Sequence, residues 1–368
     1  LQTLDRDVLR EHFEYAWSLY EWLFGGIEPS TRAFGARPNP FRNSIAFYYG
    51  HTAAFYVQKL RLAGARPADT ETALDAALER GVSPRSPAEL EPERVAPDFA
   101  RLRRYRRDVA DTVRQCIDRA PLLTATGDLT EQARALLMGV EHELIHLQTS
   151  IPLIRLLPLD YLERPAGWAY APRGDESRAA ETAWQRLPGG EVVLGREPRR
   201  AETFGWDNEF GVVARTVEAF EIANTPVTNR QFLEFVRDGG YRRPELWTTA
   251  GADVWLEAMR PEAPTAWITA EGDPPRYRGV FDELAMPWAW PVEVNRHEAV
   301  AYANWCGRGI LSEAQFHHAL DRCFGGAAAV RSDPERFDAR LRFGSPSPAG
   351  QRGEALGAGG LDLIGGVA

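Results

Sequence analysis

The 368-residue chain has little cysteine: Cys116, Cys306 and Cys323 are an odd number and show no C-x-x-C spacing. Neither a disulfide framework nor a thiolate zinc site is indicated, so any metal has to be held by histidine or carboxylate. Long apolar runs are also missing. The longest fall far below the roughly 20 residues of a membrane span, and the start, LQTLDRDVLR, is charged where a signal peptide is apolar. The expectation is a cytoplasmic protein with no membrane partner. Excess positive charge is lacking too: 43 Lys and Arg stand against 52 Asp and Glu, a formal charge of −9. That balance argues against a nucleic-acid groove, and the one dense basic run, RLRRYRRDV at 101–109, is read as a solvated helix face. Internal repeats and low-complexity tracts are absent from the sequence.

The length exceeds one ordinary core and predicts two domains. Residues 4–24 carry apolar positions at three-to-four spacing behind Thr3 and Asp5, the pattern of an amphipathic helix. Further helices are expected over 46–63, 97–119 and 130–156, the last capped by Thr130. Four long helices with Pro- or Gly-containing connections predict an antiparallel bundle over 1–165. From Pro165 the texture changes. Residues 166–186 are read as a linker rich in Gly, Pro and charge, and 187–368 as a loop-rich α+β domain. Strands are expected within 189–195, 210–223 and 291–294, and short helices at NRQFLEFVRDG and RHEAVAYANWCG.

Histidine is scarce: His12, His51, His142, His146, His297, His317 and His318 are all there are. In EHELIHLQTS, 141–150, His142 and His146 lie four apart, so on a helix they share a face about one turn apart and can bind one ion. Spacing alone is weak evidence, since such a pair is more often solvated or hydrogen-bonded in a core. A third ligand would come from a facing helix, and His51, in FYYGHTAAFYVQKL, is the natural candidate. Three imidazoles suit Fe, Zn, Cu or Ni, and without a fourth ligand they leave open positions, as a catalytic site requires. Ile145 and Thr149 share the histidine face and are candidates for the pocket wall, with plain packing as the alternative. Arg106 could bind a substrate carboxylate through its planar fork or form an ion pair. His317 and His318 are read as structural. Trp206 and Phe210 of FGWDNEFG are read as core of the second domain, with Asp207, Asn208 and Glu209 satisfying the loop backbone.

Several stretches, in order along nearly the whole chain, carry a family resemblance: FYYGHTAAFYVQKLRLAG, MGVEHELIHLQTSIPLIRLLPLD, FGWDNEFG, PVTNRQFLEFVRDGGYRRPELW, PWAWPVEVNRHEAVAYANWCG and LSEAQFHHA. The chain resembles the non-heme iron sulfoxide synthases of thiol-histidine biosynthesis. These join a DinB-like four-helix bundle to a domain like that of the formylglycine-generating enzyme, itself C-type-lectin-like. Within them it looks closer to the ovothiol branch, 5-histidylcysteine sulfoxide synthase, than to the ergothioneine branch. The resemblance implies that His51, His142 and His146 hold Fe(II). It further implies O2 as cosubstrate, cysteine and histidine as small-molecule substrates, and a product with a new carbon–sulfur bond and an oxidised sulfur.

Two departures stand out. The family's H-x-x-x-H-x-E motif has Gln148 in its last position, where an amide would change the hydrogen bonding around the ligands. At the other end, GGLDLIGGVA has Gly366 where the family has asparagine, and the chain stops before the segment that carries the family's catalytic tyrosine, so no catalytic residue is carried over; a methyltransferase domain is likewise absent from the chain. The readings that compete with histidine as acceptor are hercynine with cysteine or γ-glutamylcysteine, a selenium donor, and, in a different class, a non-catalytic bundle holding zinc.

Overall fold

The computed structural model of the protein describes residues 5–65, 71–79, 98–179, 181–197, 204–326 and 343–350. These divide into two compact units, one of Leu1–Ala166 with Arg196–Gly211, the other of Gly167–Gly195 with Val212–Ala368.

The first unit is helical. Its four long helices are α1 (Arg6–Phe24), α3 (Ile45–Leu62), α5 (Phe99–Arg119) and α6 (Glu131–Arg155), with two short ones, α2 (Thr31–Gly35) and α4 (Thr72–Leu78), between them. The long helices fall where periodicity puts them. Each begins at a side chain that accepts a hydrogen bond from an otherwise unpaired backbone N–H: Asp5, Ser44, Asp98 and Thr130. Such caps contribute about 1 kcal/mol apiece. Thr3 lies outside the described residues. The apolar stripe of α5 buries Leu102, Tyr105, Val109 and Val113, and that of α1 buries Leu9, Phe13, Tyr20 and Phe24. Helix α3 is buried almost all round over its first ten residues, Ile45 to Ala54. A helix apolar on every side belongs at the centre of a bundle, and α3 touches α4, α5 and α6.

The second unit has short elements. Antiparallel pairs join β1 (Trp184–Leu187) to β4 (Phe220–Ala223) and β2 (Gly190–Leu194) to β3 (Val213–Val217), and β5 (Trp267–Ile268), β6 (Arg276–Arg278) and β7 (Glu283–Ala285) form a three-stranded sheet. Around them lie α7 (Asn229–Arg237), α8 (Ala252–Met259), α9 (Arg296–Trp305) and α10 (Glu313–Phe324). Capping boxes start α7, α9 and α10: Thr228 with Gln231, Asn295 with Glu298, Ser312 with Gln315. Phe232, Phe235, Trp247, Trp267, Tyr277 and Trp290 are among its largest core residues. Their polar edges are satisfied, for Trp267 Nε1 donates to Asn229 Oδ1 at 3.0 Å and Trp290 Nε1 to the Pro172 carbonyl at 2.8 Å, as burial of an indole demands.

Beyond short elements that the sequence reading did not expect, such as α2, α4, α8 and β5–β7, the structure departs from three of its readings. PVEV is no strand; only Pro291 makes an isolated bridge, to Thr228. The stretch after Gly167 does not hang free, since Trp168 and Ala171 are buried. Trp206 and Phe210 are only partly buried and group with the helical unit rather than with the second unit's core. Glu209 does satisfy loop backbone, accepting from Trp206 N at 2.8 Å. His318 is structural as expected, one ring nitrogen donating to the Pro188 carbonyl at 2.9 Å. Residues 351–368, including Gly366, lie outside the described residues. No helix among those described is long and apolar enough to cross a membrane.

Candidate metal centre

His51 stands in the second turn of α3, and His142 and His146 stand one turn apart near the middle of α6. Close approach of these two helices has a cause in sequence. A Cβ at Gly139 would lie 2.1 Å from the Tyr56 ring. Glycine there lets Tyr56 of α3 rest on the backbone of α6, one turn before His142. Glycine inside a helix costs about 0.5–1 kcal/mol relative to alanine, and this packing offsets it.

The three rings converge. Centroid separations are 5.1 Å for His51–His142, 4.8 Å for His51–His146 and 4.4 Å for His142–His146. One ring nitrogen of each lies within 4.8 Å of one nitrogen of the others. Three imidazole nitrogens each ~2.1 Å from one ion stand at most about 3.6 Å from one another, so inward shifts of roughly 1 Å per ring close the triangle. An aromatic neighbour flanks every ring: Phe47 stacks on His51, Phe55 lies flat on His142 at 3.7 Å with planes 6° apart, and Tyr48 tilts against His146 at 6.0 Å.

Hydrogen bonding separates His51 from the other two. Its Nδ1 donates to the Leu78 carbonyl at 2.6 Å, which leaves Nε2 with a lone pair. The Nδ1 atoms of His142 and His146 are buried with no hydrogen-bond partner. A buried polar atom without a partner is unfavourable, so a plain core role leaves these rings unsatisfied, and only a cation held through Nδ1 would supply what those atoms lack. Electrostatics agree. Burial, then the charges of His146, His51 and Lys59, pushes His142 down to about 2; burial, then His51 and Arg42, pushes His146 down to about 3; burial lowers His51 against the Leu78 hydrogen bond. All three are neutral at pH 7, the protonation state a ligand needs.

Directly behind the histidines lies a buried charge cluster. Arg106 of α5 is 1% exposed; its NH1 donates to Tyr49 O and Thr52 Oγ1, its NH2 to Glu143 Oε1 at 2.9 Å, and its Nε to Glu21. Its guanidinium also faces the rings of Trp17, Tyr20 and Tyr49. The expectation that Arg106 binds a substrate carboxylate is therefore corrected, because its donors are committed inside the protein. Burial raises the Glu143 pKa against the pull of Arg106; burial, joined by the Glu143 charge and by its interaction with the Glu143 side chain, puts the Tyr56 phenol well above its ordinary range.

Ile145 is 46% exposed and Thr149 is exposed, its hydroxyl donating to the His146 carbonyl. They continue the histidine face outward, so that face opens at the edge of the helical unit. Gln148 is also exposed. Two residues along a helix are about 200° round it, which points Gln148 away from the His146 ring. A hydrogen bond from Gln148 to that ligand is ruled out by this geometry.

Further neighbours of the histidines carry no motif of their own. Lys59, eight residues after His51 on α3, places Nζ 5.0 Å above the Phe55 ring on which His142 stacks, and Arg42 lies beside His146. Neither cation has an ion-pair partner among the described residues. Trp206 hydrogen-bonds Glu141, the residue before His142; burial and Glu209 raise the Glu141 carboxyl, against Trp206 and Arg196. FGWDNEFG thus touches the helix that carries His142 and His146, held by Arg196, whose NH1 donates to Phe204 O and Glu209 Oε2.

Comparison with known families and proteins matches both units. Residues 12–150 match the DinB superfamily and residues 171–340 the sulfatase-modifying factor enzyme 1-like domain. The chain is 33% identical over 253 residues to a hercynine oxygenase of Mycolicibacterium thermoresistibile, covering 66% of this chain and 54% of that one. It is 24% identical over 267 residues to ergothioneine biosynthesis protein 1 of Neurospora crassa, covering 67% of this chain and 29% of the relative. It is 30% identical over 220 residues to the formylglycine-generating enzyme of Mycobacterium tuberculosis, covering 49% and 70%. The chain spans about half the length, or less, of the hercynine oxygenases it matches. A DinB-superfamily bundle and a sulfatase-modifying factor enzyme 1-like domain thus lie in one chain, and that chain is similar in sequence to hercynine oxygenases.

Proposed function

We propose that the protein is an Fe(II)- and O2-dependent sulfoxide synthase in which His51, His142 and His146 hold the metal. It joins the sulfur of cysteine to the imidazole of histidine. The observation that carries this reading is the convergent trio of neutral, partly unsatisfied imidazoles on two facing helices. Three nitrogens leave coordination positions open, whereas structural zinc is closed by four protein ligands, and no fourth candidate joins the cluster among the described residues. Bound there, iron supplies the redox chemistry with dioxygen that no side chain of the site possesses.

The chain's own contribution is binding, orientation and exclusion of water. Phe47, Phe55 and Tyr48 fix the planes of the ligand rings and wall one side of the site with apolar surface. Lys59 and Arg42, without carboxylate partners in the described residues, offer positive charge near His142 and His146 respectively. Both substrates are amino acids with carboxylates, and such cations suit them.

A second reading replaces histidine by hercynine, and the named relatives support it. One experiment tests both. Protein loaded anaerobically with Fe(II) is mixed with oxygen and cysteine, plus histidine or hercynine, and the products are identified by mass spectrometry. A histidine–cysteine sulfoxide is the expected product; turnover with hercynine alone selects the second reading, and no oxygen uptake with either pair rejects the enzyme altogether.

A further inference from the structure

The short helix α4 has no part in the ligand set, yet among the described residues it makes the one hydrogen bond that any of the three histidine rings directs to the backbone. The Leu78 carbonyl is the last of α4 and so has no partner within its own helix. It receives His51 Nδ1 at 2.6 Å. A carbonyl only accepts, so the proton of the neutral His51 ring sits on Nδ1 and the lone pair on Nε2. Two further contacts set α4 in this position. Asp75, buried in α4, accepts from Tyr105 Oη of α5 at 2.6 Å and pairs with Arg61 NH2 of α3 at 2.7 Å. Gly50, the residue before His51, has Leu78 lying on it: a Cβ there would come within 2.6 Å of Leu78 Cδ1 and 3.2 Å of Leu102 Cδ2.

We infer that α4 is a latch that selects the metal-binding tautomer of His51, with Asp75 and Gly50 as its positioning residues and the Leu78 carbonyl as its working atom. The ring has two tautomers, and only the one with a bare Nε2 presents a lone pair away from α4. With the latch seated, that choice is made before an ion arrives; with it displaced, the ring is free to take either tautomer or turn. Partners of this kind typically change metal affinity 10- to 100-fold when removed. The inference rests on the reading of the histidines as metal ligands, but half of its test does not involve a metal.

The test uses metal-free protein first. Long-range nitrogen–proton correlation spectra of the histidine rings report each tautomer, with His51 assigned by its loss in His51→Asn. The wild type is expected to show His51 as Nδ1–H; an Nε2–H form overturns the inference whatever the variants do. Gly50→Val, which wedges α4 outward, and Asp75→Ala, which unties it from α3 and α5, should give mixed tautomer signals. Circular dichroism selects the variants that keep the helical fold, and the wild-type spectrum stands if neither does. Titration with Co(II), followed by its visible absorption, should then show at least tenfold weaker binding in the folded variants. Unchanged tautomer and affinity in both would overturn the latch. If wild-type protein takes up no Co(II) while its His51 signal is Nδ1–H, the metal reading fails and the tautomer selection remains.

Discussion

Phe55 lies flat against His142, ring planes 6° apart and centroids 3.7 Å from each other, with the Lys59 ammonium on the phenyl ring 5.0 Å from its centroid. His51, Phe55 and Lys59 follow one another at i, i+4 and i+8, so a single stripe of α3 carries one histidine of the trio, the stack on a second, and a cation. Phe55→Leu keeps apolar bulk but loses the stack. Aromatic pairs contribute about 0.5–1.5 kcal/mol beyond the area they bury. The variant should therefore bind Co(II) between about two- and tenfold more weakly, measured by titration, while its unfolding midpoint in urea moves little. Equal affinity would show that the stack does not orient His142.

Lys59 itself is expected to act on substrate rather than on the metal. Lys59→Met retains the stem over Phe55 and removes the charge. Loss of a carboxylate contact made equally in ground and transition states raises KM and leaves kcat alone. A rise in KM of about tenfold for one amino-acid substrate fits the ~1.5 kcal/mol of an exposed charged hydrogen bond. Steady-state oxygen uptake against cysteine and against the imidazole substrate, each varied alone, identifies which one is held. A variant with both KM values unchanged excludes Lys59 from recognition.

The buried Arg106 makes the prediction for stability. Removing one partner of a buried ion pair leaves an uncompensated charge, at a cost of about 3–5 kcal/mol. Arg106→Met strands Glu143, which is fully buried, and loosens Glu21 as well. Urea unfolding of the metal-free protein should show that loss. Arg106→Lys should recover only a small part, because an ammonium cannot reach Tyr49 O, Thr52, Glu143 and Glu21 with the geometry of a planar fork. Near-full rescue by lysine would mean that charge alone, without the fork, holds α1, α3, α5 and α6 together here.

Acid should weaken the metal-free bundle through its histidines. His142 and His146 have folded values of about 2 and about 3 against an ordinary 6.5, and His51 is also lowered, in each case chiefly by burial. Below pH 6.5 the unfolded chain takes up protons that the folded chain refuses, so stability is complete above that pH and declines as pH falls toward the folded values. Urea midpoints in the presence of chelator should drop between pH 7 and pH 5, a window above most carboxylate titration. His142→Phe should flatten the slope. A midpoint constant across that window would contradict burial of three neutral rings.

Much of this site was legible in the sequence, for stated reasons. His142 and His146 sit on a long capped helix with clear periodicity, and His51 on a helix apolar all round, so convergence followed from the bundle. Arg106 could have been placed too: Leu102, Tyr105, Arg106, Val109 and Val113 form one i, i+3, i+4 stripe, and the four other arginines of the run hid the one that faces inward. Helix α4 offered no such signal. Its seven residues span barely two turns, too short for a period to show, and its role depends on a backbone carbonyl, which has no sequence signature. The contact of Trp206 with Glu141 joins residues 65 positions apart, beyond the reach of local pattern.

Gln148 provides the sharpest comparison between motif and geometry. By motif it occupies the place of the family's glutamate, two residues after the last ligand; by helix rotation it points about 160° away from the His146 ring and into solvent. An exposed side chain on the far side of α6 has no path to the ligand nitrogens through a hydrogen bond. Gln148→Glu and Gln148→Ala should thus leave Co(II) affinity within about twofold, since surface changes away from special features move free energies by no more than ~0.5 kcal/mol. An effect as large as tenfold on metal affinity would require α6 to turn or partly unwind around the site. An effect confined to KM would instead place Gln148 in contact with substrate. Running both variants beside Phe55→Leu in the same titration separates a residue that touches a ligand ring from one that only neighbours it in sequence.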